Sequence, residues 1–396
     1  MPKEIVIIGA GVAGLTCAHY LKSAGRDVLV IDKSGAPGGR IRTDIHDGYR
    51  LDRGFQIFLT SYPEAKAILD YEELDLRYFE NGAIIHAGNR QVPMFDPSDN
   101  LWLGIRSLIQ GPLIFGDGMK MLGWKARVQS AEVASLYEGE EMSSMAYLQS
   151  LGLSKKNIEG FWKPFYQGIF LENELHTDRA LLEFTFKMFQ EEGAAIPGNG
   201  MQTIPNQLAQ KLGEESIRLN TEIHELEEGR IRTVHGDVIQ ADIVVDAAGL
   251  TLGKDIRFKD VTNLYLIADE IPEHPKVIHL HADKDRVVNN VAFLSEVSPA
   301  YRGENGKSLI SASANGEHSE LAIRRDLEKM FGPIVKSWES LKKYHIREAL
   351  PDIPVRYTFE PKVREGLFRC GDQLVEGSIN GAMRSGRLAA EAILQS

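Results

Sequence analysis

The stretch Ile5-Val6-Ile7-Ile8-Gly9-Ala10-Gly11-Val12-Ala13-Gly14-Leu15 limits what this chain can become more than any other. Its β-branched apolar run suits a strand buried on both faces of a parallel sheet. Gly9 then allows a tight turn, Gly11 lets backbone approach a pyrophosphate, and Gly14 lets the next helix, expected over about Leu15 to Ser23, pack closely on the sheet. The start of that helix, with Ala13 in it, offers unpaired N–H groups and a positive dipole end to phosphate.

Glycine turns of this kind also arise for purely structural reasons, so the surroundings decide. A second strand, Asp27-Val28-Leu29-Val30-Ile31, ends in Asp32, at the spacing where an acid binds a ribose 2′-hydroxyl. An acid there disfavours a 2′-phosphate, which favours FAD or NAD over NADP. From Lys33 to Thr43 the chain carries Gly38, Gly39, Arg40 and Arg42, a second anion-binding loop in which the planar arginine fork suits a diphosphate. The stretch Tyr49 to Phe58 again sets a glycine, Gly54, beside Phe55 and Gln56.

On these motifs the chain resembles the flavoprotein superfamily of amine oxidases, protoporphyrinogen oxidases and phytoene-desaturase-type enzymes. The resemblance implies a non-covalently held FAD. It implies that the two glycine loops take the diphosphate, that Asp32 takes the adenosine ribose, and that Gly54-Phe55-Gln56 lies near the flavin. Further along, it implies that Ile223 meets the adenine through its backbone and that the strand ending in Ala248-Gly249 returns to the dinucleotide. At the C-terminus, Gly371-Asp372 matches the turn that binds the ribityl or diphosphate region, and Ser378-Ile379-Asn380 opens a helix whose N–H at Ile379 faces the flavin C2 carbonyl. A helix N-terminus stabilises the negative charge that develops there on reduction.

The implied fold class is α/β: a discontinuous Rossmann-like FAD-binding domain (1–60, 195–256 and 346–396) with an inserted α+β substrate domain (61–194 and 257–345). From Tyr62 to Gly193 the pattern reads as amphipathic helices with few strand signals, and Phe161 to Leu171 is dense in aromatics. That density reads first as core packing. Amine oxidases of this superfamily usually carry an aromatic residue where Ser378 stands, so the serine counts against amine oxidation and is similar to desaturase-like members. Lys254 and Lys259 fit the lysine that many amine oxidases set near flavin N5 only by rough position, and a surface role is the plainer reading.

Several function classes are excluded on composition. With 396 residues the chain has room for about two or three domains. Its net charge of −11 is spread in mixed runs, so no basic stripe proposes nucleic acid. Two cysteines, Cys17 and Cys370, make no disulfide framework and read as buried thiols. His279 and His281 share a strand face without further ligands at metal spacing, so no metal is expected. The first strand starts near Met1, which leaves no room for a leader and favours the cytoplasm. The longest apolar run, Leu101 to Phe115, is interrupted by Arg106, Gly111 and Pro112, so it packs or at most touches a membrane surface.

The expected activity is FAD-dependent dehydrogenation or isomerisation of a fairly apolar, isoprenoid-like small molecule, with the catalytic residues unknown. Two other readings stay open: an amine oxidase or NAD(P)H-oxidising flavoprotein, and a non-catalytic flavin-bound assembly factor.

Overall fold

The apolar N-terminal run forms strand β1 (Lys3–Ile8), which pairs in parallel with β2 (Val28–Ile31) on one side and with Val238–Asp246 on the other. The computed structural model describes residues 3–95, 115–227, 229–252 and 256–396. Ile217–Arg218 extends the sheet beyond β2, and Leu367–Arg369 extends it beyond Val238–Asp246, both in parallel. An antiparallel hairpin, Ile223–Glu227 with Arg230–Thr233, joins the early part of Val238–Asp246. Ile5 and Ile7 enter one core and Val6 and Ile8 another, which is why the run has no polar alternation.

Helix α1 (Val12–Ser23) starts at Val12, ahead of the expected Leu15, because Gly11 already serves as its N-cap. It lies so close to β1 that a Cβ on Gly14 would sit 2.1 Å from the Gly9 carbonyl oxygen. The C-terminal helix Ile379–Leu394 crosses α1 just as tightly, since a Cβ on Gly386 would sit 2.3 Å from the Ala13 oxygen. This helix starts at Ile379, with Ser378 as its cap.

A seven-stranded sheet stands against this nucleotide-type layer. Its order is Glu339–Asp352, Arg257–Ala268, Ser308–Asn315, Asn290–Phe293, Ile278–His281, Gly82–Ala87 and Arg90–Phe95. The helix Glu320–Phe331 packs Ile323, Leu327 and Met330 against one face, onto Leu264, Leu266, Val291, Ile310 and Ala312. Tyr265, Ile267, Ala292 and Leu309 alternate to the other face and join the main core. The fold is therefore mixed α/β, with a discontinuous Rossmann-like sheet and a second, largely antiparallel sheet.

Three strands, Leu76–Tyr78, Gly82–Ala87 and Arg90–Phe95, interrupt the stretch expected to be helical from Tyr62 to Gly193. The signal was present: Gly88-Asn89 between two apolar runs is hairpin chemistry, with Gly88 at φ +55°. Pro93 then sits on an edge strand, where its missing N–H costs nothing. The remaining described part of that stretch is helical, chiefly Phe115–Ser130, Ser144–Ser150, Lys163–Phe170 and Arg179–Glu191. Among the described residues no helix is long and apolar enough to cross a membrane. Residues 101–114 of the Leu101 to Phe115 run, and Lys254, lie outside the described residues.

Opposite signs are expected for two glycine-to-alanine changes. Gly386→Ala forces α1 and the C-terminal helix apart and lowers stability by about 1–3 kcal/mol. Gly118→Ala, on a helix where an added Cβ meets nothing within 4 Å, raises it by roughly 0.5–1 kcal/mol. Thermal midpoints measured side by side check both.

Candidate functional site

The turn after β1 is built from three glycines with three different jobs. Gly9 has φ +112°, donates its N–H to Ile31 O at 2.8 Å, and has the Ala247 carbonyl carbon 3.0 Å from where a Cβ would stand. Gly14 is demanded by the closeness of helix and strand, and it does not line the cavity. Gly11 has an ordinary φ of −75°, and a Cβ there would meet nothing within 4 Å. The fold does not require a glycine at that position; the open cavity lies in front of it.

That cavity encloses about 700 Å³ and is lined by Gly9, Gly11, Ala13, Asp32, Lys33, Gly38, Gly39, Arg40, Gly54, Phe55, Gln56, Ile223, Ala248, Gly371, Asp372, Ser378 and Ile379, all singled out in the sequence. The second loop folds directly onto the first: Gly38 donates to Ala10 O at 2.8 Å, with Gly38 and Gly39 at φ +127° and +60°. Asp32 braces both, accepting from Ala10 N and Ser34 N at 2.7 Å each. Each carboxylate oxygen keeps a further lone pair for a hydroxyl.

Arg40 reaches from the second loop to the C-terminal turn, where it pairs with Asp372. Gln56 donates to the Arg40 carbonyl at 3.3 Å, which ties the Gly54-Phe55-Gln56 segment to the same place. Gly371, at φ +146°, donates to Ser385 Oγ at 2.9 Å, and Ser378 caps the last helix by accepting from Gly381 N at 2.8 Å. The first turn of that helix lacks intrahelical N–H partners and opens at Ile379 onto the cavity.

Arg42, Gly249 and Asn380 do not line the cavity. Arg42 turns back to donate to Ala36 O at 3.1 Å, so it buttresses the loop from behind. Asn380 is buried and accepts from Glu64 N at 3.2 Å, and Gly249 takes φ +82° just past Ala248. Lys259 is neither a surface lysine nor a cavity group; it is held by Glu172 Oε2 at 2.8 Å and Thr177 Oγ1 at 3.1 Å. His279 and His281 face away from the cavity, where His279 Nδ1 meets His86 Nε2 at 3.0 Å, while Ile278 and Leu280 line it.

The aromatic stretch divides. Trp162 and Tyr166 turn into the core, whereas Phe165, Gly168, Ile169, Phe170 and Leu171 line the far half of the cavity with Leu181, Thr185 and Phe189. The seven-stranded sheet supplies its floor through Val261, Ile278, Leu280, Asn290, Ser313 and Ile346.

Two buried acids were missed by sequence reasoning. Asp52, just ahead of Arg53-Gly54, accepts from Tyr301 OH at 2.6 Å and Met201 N at 3.0 Å, and burial pushes its carboxyl upward. Glu376, just ahead of Gly377-Ser378, pairs with Arg384, whose guanidinium lies 4.5 Å and 5.1 Å from the Tyr357 and Tyr137 rings. Burial pushes Glu376 up to about 7 in spite of Arg384, which stays charged. An arginine among the small residues of the last helix was the one available hint.

The profile of the family described as flavin containing amine oxidoreductase matches residues 12–394. A 15-cis-phytoene desaturase of Solanum lycopersicum is 24% identical over 467 residues, covering 100% of this chain and 78% of that protein. Among solved structures, an oxidoreductase from Methanosarcina mazei superposes with a TM-score of 0.74 at 16% identity, covering 99% of this chain and 100% of that one. A putrescine oxidase superposes with a TM-score of 0.71 at 18% identity over 100% of both chains. The two superpositions show a shared fold.

Glu376 binds its proton more tightly in the folded chain than at its ordinary value of 4.5. Stability from this group is therefore whole below pH 4.5 and falls, by about 3 kcal/mol, as pH rises through 7. Relative to Glu376→Gln, the native chain should lose thermal midpoint across that window; parallel midpoint curves would contradict the assignment.

Proposed function

This chain belongs to the family of flavin containing amine oxidoreductases and is an FAD-dependent enzyme, and from that premise we propose that it dehydrogenates or isomerises a fairly apolar, isoprenoid-like small molecule. FAD, when bound, supplies the two-electron acceptor that takes hydride at N5. The open space in front of Gly11 is the observation that fits the chain to this cofactor. In this reading the backbone around Gly11, Gly38 and Gly39 holds the diphosphate together with Arg40, Asp32 holds the adenosine ribose, Ile223 borders the adenine, and the helix start at Ile379 faces the pyrimidine end. The division into 1–60, 195–256 and 346–396 against 61–194 and 257–345 is part of the same proposal.

What carries the substrate class is the far half of the cavity. Phe165, Ile169, Phe170, Leu171, Leu181, Phe189, Ile278 and Leu280 present apolar surface, and no carboxylate, histidine or lysine stands among them. Such a wall desolvates an apolar chain and positions it, and leaves the chemistry to the cofactor. The desaturase similarity along the whole chain supports dehydrogenation. Ser378 in place of an aromatic wall, and the absence of an acid among the described residues of the far, apolar half of the cavity, weigh against amine oxidation.

The purified protein should carry a flavin absorbance band that simple amines and NADH leave unbleached under anaerobic conditions. Fast bleaching by NADH would move the enzyme to the reductases, and peroxide release with amines to the oxidases. A flavin-bound protein that keeps its cellular role after losing FAD would be an assembly factor. Gly11→Ala should weaken FAD binding by on the order of tenfold, since its Cβ enters the space the diphosphate needs. The thermal midpoint of the apoprotein should not move, because that Cβ touches nothing within 4 Å.

A further inference from the structure

The inference that follows rests on the far half of the cavity being the substrate chamber. Across the sheet that floors it, Asn263, Ser313, Asn290 and Leu280 lie side by side on four neighbouring strands. Ser313, Asn290 and Leu280 line the chamber. Polar side chains in the middle of an apolar floor are costly unless they are satisfied, so where their protons go is informative.

Asn263 Oδ1 accepts from Ser313 Oγ at 2.7 Å and from Ser311 Oγ at 3.0 Å, which commits the one proton of Ser313. Asn289 Nδ2 donates to the Pro164 carbonyl at 3.2 Å, and that carbonyl can only accept. The orientation of the Asn289 amide is thereby set, and its Oδ1 accepts from Asn290 Nδ2 at 2.8 Å. The relay ends at Asn290 Oδ1, which has no partner although the residue is only 8% exposed. Thr185, on the opposite wall, also donates its proton inward, to Leu181 O at 2.7 Å.

The relay is built into the packing. A Cβ on Gly168, in the helix over the floor, would stand 2.3 Å from Asn289 Oδ1 and 2.8 Å from Asn290 Nδ2. Only glycine leaves room for the two amides. Of the carboxylates that border the cavity, Asp32, Glu222 and Asp372 belong to the glycine loops and turns, and Glu348 lies on the sheet's edge strand two residues beyond Ile346, next to the Ala349 carbonyl that Arg40 meets; none is in the row of Asn263, Ser313, Asn290 and Leu280.

We propose that Asn290 and Ser313 recognise a hydroxyl group on an otherwise apolar substrate. The hydroxyl donates to Asn290 Oδ1, with the free lone pairs of Ser313 beside it. A hydrocarbon leaves the acceptor unpaired, and an ammonium finds no carboxylate in this row of side chains. A site that holds an unpaired polar atom discriminates strongly against a ligand lacking the matching group.

The FAD-loaded protein tests this with geraniol, farnesol and geranylgeraniol, each beside the hydrocarbon and the primary amine of the same skeleton. Dissociation constants come from perturbation of the flavin spectrum. The best-fitting alcohol should bind at least about tenfold tighter than its hydrocarbon. Asn290→Leu should erase that preference while hydrocarbon affinity holds or improves. Ser313→Ala, which leaves Ser311 on Asn263, should reduce the preference severalfold and serves if the leucine variant does not fold. Equal binding of alcohol and hydrocarbon, tighter binding of the amine, a preference that survives both substitutions, or binding of none of the probes overturns the proposal. Failure of the chain to take up FAD would instead overturn the cofactor assignment, and it is read separately from the flavin band.

Discussion

Two backbone-to-backbone contacts hold the molecule's architecture in place, and each depends on a side chain that is not there. At Gly14, α1 presses on the turn that follows β1; at Gly386, the C-terminal helix presses on α1. With both contacts made, the first and last structured segments become one layer. The second glycine loop docks on the first through Gly38 and Ala10, and the Gly371-Asp372 turn comes within reach of Arg40. The position of the glycine loops thus depends on helix packing as well as on their own hydrogen bonds.

The seven-stranded sheet answers a different demand. Its central strands are buried on both faces, so their alternation does not separate core from solvent; it separates two cores. One is sealed by the helix Glu320–Phe331, and the other face is shared between packing and the cavity floor. This explains why Ser311, Ser313, Asn263 and Asn290 can be buried polar residues in the middle of the sheet. Their hydrogen bonds run along the floor and leave Asn263 Nδ2 and Asn290 Oδ1 without partners.

Local chemistry was legible in the sequence, and long-range pairing was not. The strand, turn, helix and acid of residues 5 to 32 announce themselves because each acts through its immediate neighbours. The Gly82–Phe95 hairpin was readable from Gly88-Asn89 but was masked by the helical periodicity around it. Arg42 could not be told from Arg40 by spacing, since only the fold shows which arginine meets Asp372 and which turns to Ala36. Lys259 looked like surface because its partner, Glu172, comes from a helical region far away in the chain. Glu376 and Arg384 are close in sequence, but their burial depends on Tyr137 and Tyr357, which nothing local announces.

The meeting of α1 with the last helix bears on the order in which this protein is made. The glycine turn after β1 is synthesised more than three hundred residues ahead of Gly386, so one side of its helix stays uncovered until that residue arrives. Arg40 likewise waits for Asp372, more than three hundred residues later. Between those two points a growing chain holds one side of the cavity without the other. The cavity is closed only once Gly371, Asp372 and the start of the last helix have been made, so a chain lacking them would keep its glycine turn and miss a wall.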